Sequence, residues 1–249
     1  FFLMQSWYCG HVGSSSRFSK FLASMPRFAA LALNNNLGDD FESLWGGAEI
    51  RVAVDGGGNR IFDRLNHQNS LQHPLPHALK GDFDSLRSEV RGFYEENNVT
   101  VTHDKDQDTT DLEKSLQLFN TGPYASFDDP ILICGGLGGN FMHTLANISS
   151  ALRHCKQMEN QLYLLADDCV GCILKEGGHT IHGEKDMFCG IIPFGVTGVV
   201  KKSTNLKYPP DGLQMSFGTL ISTSNQFTAE KVQLETCHPL MFLADARKH

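Results

Sequence analysis

From residue 27 onward, short apolar runs alternate with longer stretches in which apolar positions recur every three or four residues. The short runs, at 28–33, 50–54, 78–80, 99–102 and 131–134, have the length and the Val, Ile, Leu and Ala content of buried strands. The longer stretches, at 41–45, 59–65, 87–96, 111–119 and 140–154, carry helical spacing, and Thr109 or Thr110 is placed to cap the fourth. Such alternation predicts a parallel sheet covered by helices, a layout that gathers ligands at the carboxyl ends of its strands.

Past residue 157 the texture changes. Short segments of Val, Ile, Phe and Thr are punctuated by Gly177-Gly178, Gly183, Gly190, Gly195, Gly198, Pro209-Pro210, Gly212 and Gly218. Turn residues at these intervals predict antiparallel strands in a sandwich or barrel-like arrangement. The expected organisation is a tail over residues 1–25, an α/β domain over 26–156 and an all-β domain over 157–249.

Composition narrows the classes. The 249 residues are 41% hydrophobic and 20% charged, enough chain for two modest cores. A net charge of −7 provides no general attraction to nucleic acid or anionic membranes, and neither partner is expected. No apolar run approaches the ~20 residues that cross a bilayer. Cysteines at 9, 134, 155, 169, 172, 189 and 237 do not form the framework of a small secreted domain, so a reducing, cytoplasmic setting is expected. Cys169-Val-Gly-Cys172 lacks a second such pair or histidines at zinc spacing and reads as thiols packed in β-structure. Arg17, Lys20 and Arg27 lie among serines ahead of the first acid, Asp39, a composition shared with mitochondrial transit peptides; a disordered or appended tail is the preferred reading.

The strongest chemical signal is acidic. Asp82 and Asp84 follow the run at 78–80, and Asp104, Asp106, Asp108 and Asp111 follow the run at 99–102. In a parallel sheet both groups fall on one rim, where carboxylates without nearby bases repel one another unless a divalent cation neutralises them. Hard oxygen ligands suit Mg²⁺ beside substrate phosphates. Two glycine turns between strand and helix, Asp55-Gly-Gly-Gly-Asn59 and Gly135-Gly-Leu-Gly-Gly139, let backbone amides approach an anion. Neither fits the dinucleotide fingerprint or the P-loop. In the second half, Ser222-Thr-Ser-Asn225 offers hydroxyl and amide groups at a strand end, and Tyr208 offers a ring for stacking.

Taken in order, Val54-Asp-Gly-Gly-Gly-Asn-Arg60, Gly81-Asp-Phe-Asp-Ser85, Asp106-Gln-Asp-Thr-Thr-Asp111, Gly135-Gly-Leu-Gly-Gly139 and Ser222-Thr-Ser-Asn225 resemble the thiamine pyrophosphokinase family. The resemblance spans nearly all of the chain beyond the tail. It implies transfer of a pyrophosphoryl group from ATP to thiamine, giving thiamine pyrophosphate and AMP. It also implies a homodimer, with thiamine between the α/β domain of one subunit, which binds ATP and Mg²⁺, and the β domain of the other. Carried onto this chain, the catalytic carboxylates are Asp82, Asp84, Asp106 and Asp111, with Mg²⁺ on Asp82, Asp84 and Asp111. Asp106 is the carboxylate expected to orient or deprotonate the attacking hydroxyl. Nucleotide contacts are expected from Asp55, Gly56, Gly57, Asn59, Gly81, Ser85, Gly136, Gly138 and Gly139. Thiamine contacts are expected from Gln107, Tyr208, Ser222, Thr223, Ser224 and Asn225.

The chain departs from the family in places. Asn140 and Met142 stand where the family usually shows Arg and an acidic residue, and Tyr208-Pro209 where animal relatives carry Trp-Asn. Two other functions share some of these features. Asp82-Phe-Asp84 superficially matches the nucleophile motif of metal-dependent phosphohydrolases, and the departures would suit a non-catalytic thiamine or nucleotide sensor.

Overall fold

The computed structural model describes residues 5–8, 25–67, 74–166 and 168–246. The tail expected over residues 1–25 lies outside the described residues apart from Met25 and strand β1 (Gln5–Tyr8). The chain forms two compact units, one bounded by Arg27 and Asp167, the other built from the chain on either side of it.

The first unit alternates strand and helix: β2 (Ala29–Ala32), α1 (Phe41–Gly47), β3 (Ile50–Val54), α2 (Gly57–His67), β4 (Ala78–Gly81), α3 (Ser88–Glu96), β5 (Thr100–His103), α4 (Asp111–Asn120), β6 (Ile131–Cys134), α5 (Phe141–His154) and β7 (Leu162–Leu165). All its strand pairs are parallel, in the order β7-β6-β2-β3-β4-β5. Strands β2, β4, β6 and β7 are buried at every position, Lys80 of β4 included, as strands are when helices cover both faces of a parallel sheet. At the edge, β5 is polar and largely exposed.

Core side chains seal the layers. Leu31, Leu79, Leu116 and Ile133 are each 0% exposed, and burial of each such side chain contributes about 1.5–3 kcal/mol. The large buried aromatics satisfy their polar atoms locally. The Trp45 indole N–H donates to the Pro74 carbonyl at 2.8 Å, and the Tyr94 hydroxyl donates to the Gly58 carbonyl at 2.9 Å.

The second unit contains β8 (Cys169–Leu174), β9 (Gly177–His182), β10 (Phe188–Ile192), β11 (Gly198–Thr204), β12 (Gln214–Met215), β13 (Ser222–Gln226), β14 (Lys231–Thr236) and β15 (Leu240–Asp245). Strands β13-β10-β15-β8 run antiparallel in one sheet segment, and β9-β14-β11-β12 do so in another, with β1 added parallel to β9. Strand β14 shows the period of two expected when one face is wet: Val232, Leu234 and Thr236 are buried while Lys231 and Glu235 are exposed. Phe227 and Phe242 meet edge-on in the core at 6.1 Å.

The fold is thus a helix-covered parallel sheet and an antiparallel β unit, as the pattern predicted. The boundary differs. The change of texture near residue 157 precedes β7, which pairs with β6 (Ile131 beside Leu162) and so extends the α/β unit to Asp167.

Candidate active site

The strand order dictates where a ligand fits. From β2 the chain moves outward through β3, β4 and β5, then returns to β6 on the other side of β2. The direction of the connections therefore reverses between β2 and β6, the kind of switch point where α/β sheets gather ligands at the carboxyl ends of their strands. A cavity of 540 Å³ lies there, lined by Asn34 and Asn35 after β2, Asp55 after β3, Asp84 and Ser85 after β4, Thr110 and Asp111 at the start of α4, and Gly135, Asn140, His143 and Asn147 around β6 and α5.

Three carboxylates converge on this rim. Oxygens of Asp55, Asp82 and Asp111 lie within 4.8 Å of one another. Asp55 leaves β3 with φ of 44°, is 5% exposed, and its Oδ1 is buried without a hydrogen-bond partner among the described residues. Burial, followed by the charges of Asp111, Asp84 and Asp82, raises its pKa against the opposing Gly56 N–H. Asp111 is the first residue of α4, fixed by a capping box: the Glu113 N–H donates to Thr110 Oγ1 at 3.2 Å, and the Thr110 N–H donates to Glu113 Oε2 at 3.0 Å. The Asp82 N–H donates to Asp111 Oδ1 at 3.2 Å, tying the end of β4 to α4. Burial works against the charge of Asp82, but the Asp84 N–H, the Gln107 amide and Lys114 hold its pKa below the usual carboxylate value.

Lys114 is the residue the motifs miss. It is 1% exposed, with Nζ 3.0 Å from Asp111 Oδ1 and 3.5 Å from Asp82 Oδ2. Its spacing from Asp111, three residues along a helix, is the sequence signal that marks it. An oxygen-only trio with one orphaned buried oxygen fits a hard divalent cation such as Mg²⁺. The trio contains Asp55 where the motif resemblance implied Asp84. Asp84 lies on the cavity wall, exposed, its Oδ1 accepting from Ser85 Oγ at 2.8 Å.

The remaining expected residues divide by what their polar atoms touch. Gln107 donates to Asp82 Oδ2 at 3.2 Å. Asp106 is engaged in its own turn: Oδ2 accepts from Thr109 Oγ1 at 2.6 Å and Oδ1 from the Asp108 N–H at 2.9 Å, which together lower its pKa. Asn59 braces the chain after Ser85, donating to the Ser85 carbonyl at 2.8 Å and accepting from the Arg87 N–H at 3.1 Å. Gly56 and Gly57 form the turn into α2, with the Asn59 N–H donating to the Gly56 carbonyl at 3.1 Å. Gly81 is required because a Cβ there would sit 2.7 Å from the Asp55 Cβ.

On the other wall, Asn35 organises the second glycine turn. Its Nδ2 reaches the carbonyls of Gly135, Leu137 and Gly138 at 3.1, 3.3 and 3.0 Å. Gly139, at φ of 65°, lies so close to Asn35 that a side chain would collide with it. Asn147 donates to the Gly136 carbonyl at 3.0 Å, and Thr144 to the Gly138 carbonyl at 3.0 Å. Asn140 caps α5 by accepting from the Met142 N–H at 2.9 Å, while Met142 itself is 70% exposed. Asn35, Asn147, Arg60 and His143 all line the cavity, although none of them is among the site residues expected from the sequence.

In the β unit, Asn225 acts on Tyr208. It is 1% exposed, donates to the Tyr208 carbonyl at 2.7 Å and accepts from the Tyr208 N–H at 3.0 Å. This clasp holds the backbone of a residue whose side chain is otherwise in solvent, Tyr208 being 60% exposed with Lys207 Nζ 5.6 Å from its ring. Thr223 and Ser224 are exposed and Ser222 half-buried along the same strand.

Comparison with known proteins matches the two units to two families. Residues 41–164 match the family described as thiamin pyrophosphokinase, catalytic domain, and residues 178–241 the one described as thiamin pyrophosphokinase, vitamin B1 binding domain. Thiamine pyrophosphokinase 1 of Oryza sativa subsp. japonica is 34% identical over 234 residues, 88% of this chain and 88% of its own. Thiamine pyrophosphokinase 2 of Arabidopsis thaliana is 34% identical over 236 residues, 89% of this chain and 87% of its own. Among solved structures, thiamin pyrophosphokinase from Candida albicans superposes with a TM-score of 0.81 at 19% identity, covering 97% of this chain and 93% of that one. The yeast enzyme gives 0.77 at 21% identity, covering 98% and 92%. At such identities the structural likeness speaks for the fold alone.

Proposed function

Because the chain belongs to the thiamine pyrophosphokinase family, we propose that it moves the pyrophosphoryl group of ATP onto the hydroxyl of thiamine, with Mg²⁺ held by Asp55, Asp82 and Asp111. The observation that carries the reading is this trio at the switch-point crevice. Mg²⁺ bound there supplies positive charge against the polyphosphate, which the protein's net charge of −7 does not. The residues do the positioning. Arg60 and His143 line the crevice, where a guanidinium and an imidazole suit phosphate oxygens, and the first turn of α5 adds backbone amides.

In the reaction, the thiamine hydroxyl oxygen forms a bond to the β-phosphorus as the bond to the α,β-bridging oxygen breaks. That oxygen leaves with AMP, and the hydroxyl proton passes to water or a carboxylate. Both Asp106 oxygens already accept hydrogen bonds, and its lowered pKa makes it a weak base. Its part in this reading is to hold the turn that presents Gln107 to Asp82. The β unit supplies Tyr208 as the stacking surface for thiamine, and Ser222, Thr223 and Ser224 as polar contacts, with Asn225 fixing Tyr208.

The deciding experiment measures AMP and thiamine pyrophosphate from ATP, thiamine and Mg²⁺, with Asp82→Asn and thiamine-free reactions alongside. Equal amounts of both products, dependent on thiamine and on Asp82, are expected. Phosphate release without thiamine would mean a phosphohydrolase, and thiamine binding with ATP untouched a sensor; either overturns the proposal. We also infer a homodimer in which each thiamine lies between the α/β unit of one copy and the β unit of the other. Sedimentation at substrate saturation should give twice the 27.6 kDa chain mass, and a single-chain mass would reject the dimer.

A further inference from the structure

Lys114 takes part in no step of the reaction just described, yet its ammonium lies against two of the three carboxylates and is 1% exposed. A lysine this buried has lost hydration that ion pairing must replace. Although burial opposes its charge, the hydrogen bond and attraction of Asp111, then of Asp82, hold its pKa above the ordinary lysine value. The placement comes from α4. Asp111 and Lys114 lie one helical turn apart, so the capping box at Thr110 fixes both together. Among the described residues it pairs with Asp82 and Asp111, whereas the orphaned buried oxygen of the trio belongs to Asp55.

Resting on the metal reading above, we propose that Lys114 is a positioning residue and charge placeholder, which holds Asp82 and Asp111 together in the metal-free protein and tempers the affinity of the trio for a divalent cation. Three carboxylates exceed the charge of such a cation by one, and the ammonium makes up the difference, so that the loaded site is neutral. With Lys114 neutralised, the metal-free trio repels itself, and an added divalent cation meets one fewer positive charge. Loss of the tether loosens Asp82 and Asp111, which works the other way. Repulsion between a single and a double charge a few ångströms apart is the larger effect.

The test uses Lys114→Met, which keeps an unbranched side chain and removes the charge, with Mn²⁺ alone as the probe. Mn²⁺ is titrated calorimetrically into chelator-stripped wild type, Lys114→Met and Asp82→Asn, and thermal midpoints are read with and without Mn²⁺. Lys114→Met should bind Mn²⁺ about tenfold more tightly than wild type. It should also melt lower than wild type without metal and recover when Mn²⁺ is added. A lysine that only fills space would give a lowered midpoint that Mn²⁺ does not restore and an affinity unchanged or weakened, and that result overturns the placeholder role alone. Wild type that takes up no Mn²⁺, or takes it up as well after Asp82→Asn, rejects the metal reading and this role with it. Should Lys114→Met prove too unstable to titrate, the same substitution in an Asp111→Asn background, where one repelling charge is gone, should lose less in metal-free midpoint than in the wild-type background. An equal loss overturns the proposal.

Discussion

Asp55 is held near two other carboxylates while almost fully buried, one oxygen unpaired and its backbone at positive φ. Strain and repulsion of this kind persist only where the surrounding structure over-determines them. Asp55→Asn should therefore raise the metal-free thermal midpoint, by roughly 2–4 °C, while abolishing product formation. Scanning fluorimetry in chelator and the AMP assay check the two halves, and a lowered midpoint would contradict the account. Asp55, Asp82 and Asp111 were legible in the sequence because each directly follows a strand or opens a helix within a short motif. Which acids come together in the trio was not. Asp84 is two residues from Asp82, and spacing alone cannot tell which carboxylate points at the trio. Asn225 reads in sequence as a ligand contact, but its amide is used on the backbone of Tyr208, a partner 17 residues away.

Among the elements, α4 matters most to the site, since its first turn carries Asp111 and Lys114. Thr110 both closes the capping box and shares a hydrogen bond with Ser150 Oγ at 3.0 Å, which links α4 to α5. Thr110→Ala should cost about 1 kcal/mol in urea unfolding and lower kcat, because Asp111 moves with the cap. A stability loss with kcat unchanged would show that Asp111 is held by Lys114 and Asp82 alone. Strands β3 and β6 matched their apolar runs to the residue, since parallel strands buried over most or all of their length need no alternation and end where the polar loop begins. Strand β7 was missed for the same reason. Leu162–Leu165 is also a short unbroken apolar run, but it follows the change of texture and reads as readily as the start of the β domain. Only its pairing with β6 assigns it to the α/β unit, and that register is invisible to local pattern.

Over the whole molecule, two sets of groups make stability fall as pH drops. Burial comes first among the causes that lower the pKa of His77, His179 and His182; Arg51 adds to it at His77 and Lys231 at His182, while the Lys175 carbonyl opposes it at His179. A histidine whose folded pKa lies below its unfolded 6.5 binds fewer protons folded than unfolded, so its share of stability is complete above that pH and is lost as pH falls below it. The thermal midpoint should therefore decline as pH drops through about 6.5, and His179→Gln should flatten the decline; an unchanged slope would exclude His179 as a source. Asp82 and Asp106 act lower, keeping their contribution above 3.8 and losing it as pH falls through their depressed values. The fold as a whole survives at 19% identity to a solved relative, which is what a pattern of buried strands and covering helices permits when no single side chain specifies it. The second wall of the pocket, where the loops after β2 and β6 meet, also sets a schedule during synthesis. Asn35 must wait for Gly135, 100 residues later in the chain, before it can brace the second glycine turn. At the ~5–20 residues per second of translation, that interval is about 5–20 s. A nascent chain thus carries its acidic rim before it has the opposite wall, and the pocket is completed only when nearly all of the α/β unit has left the ribosome.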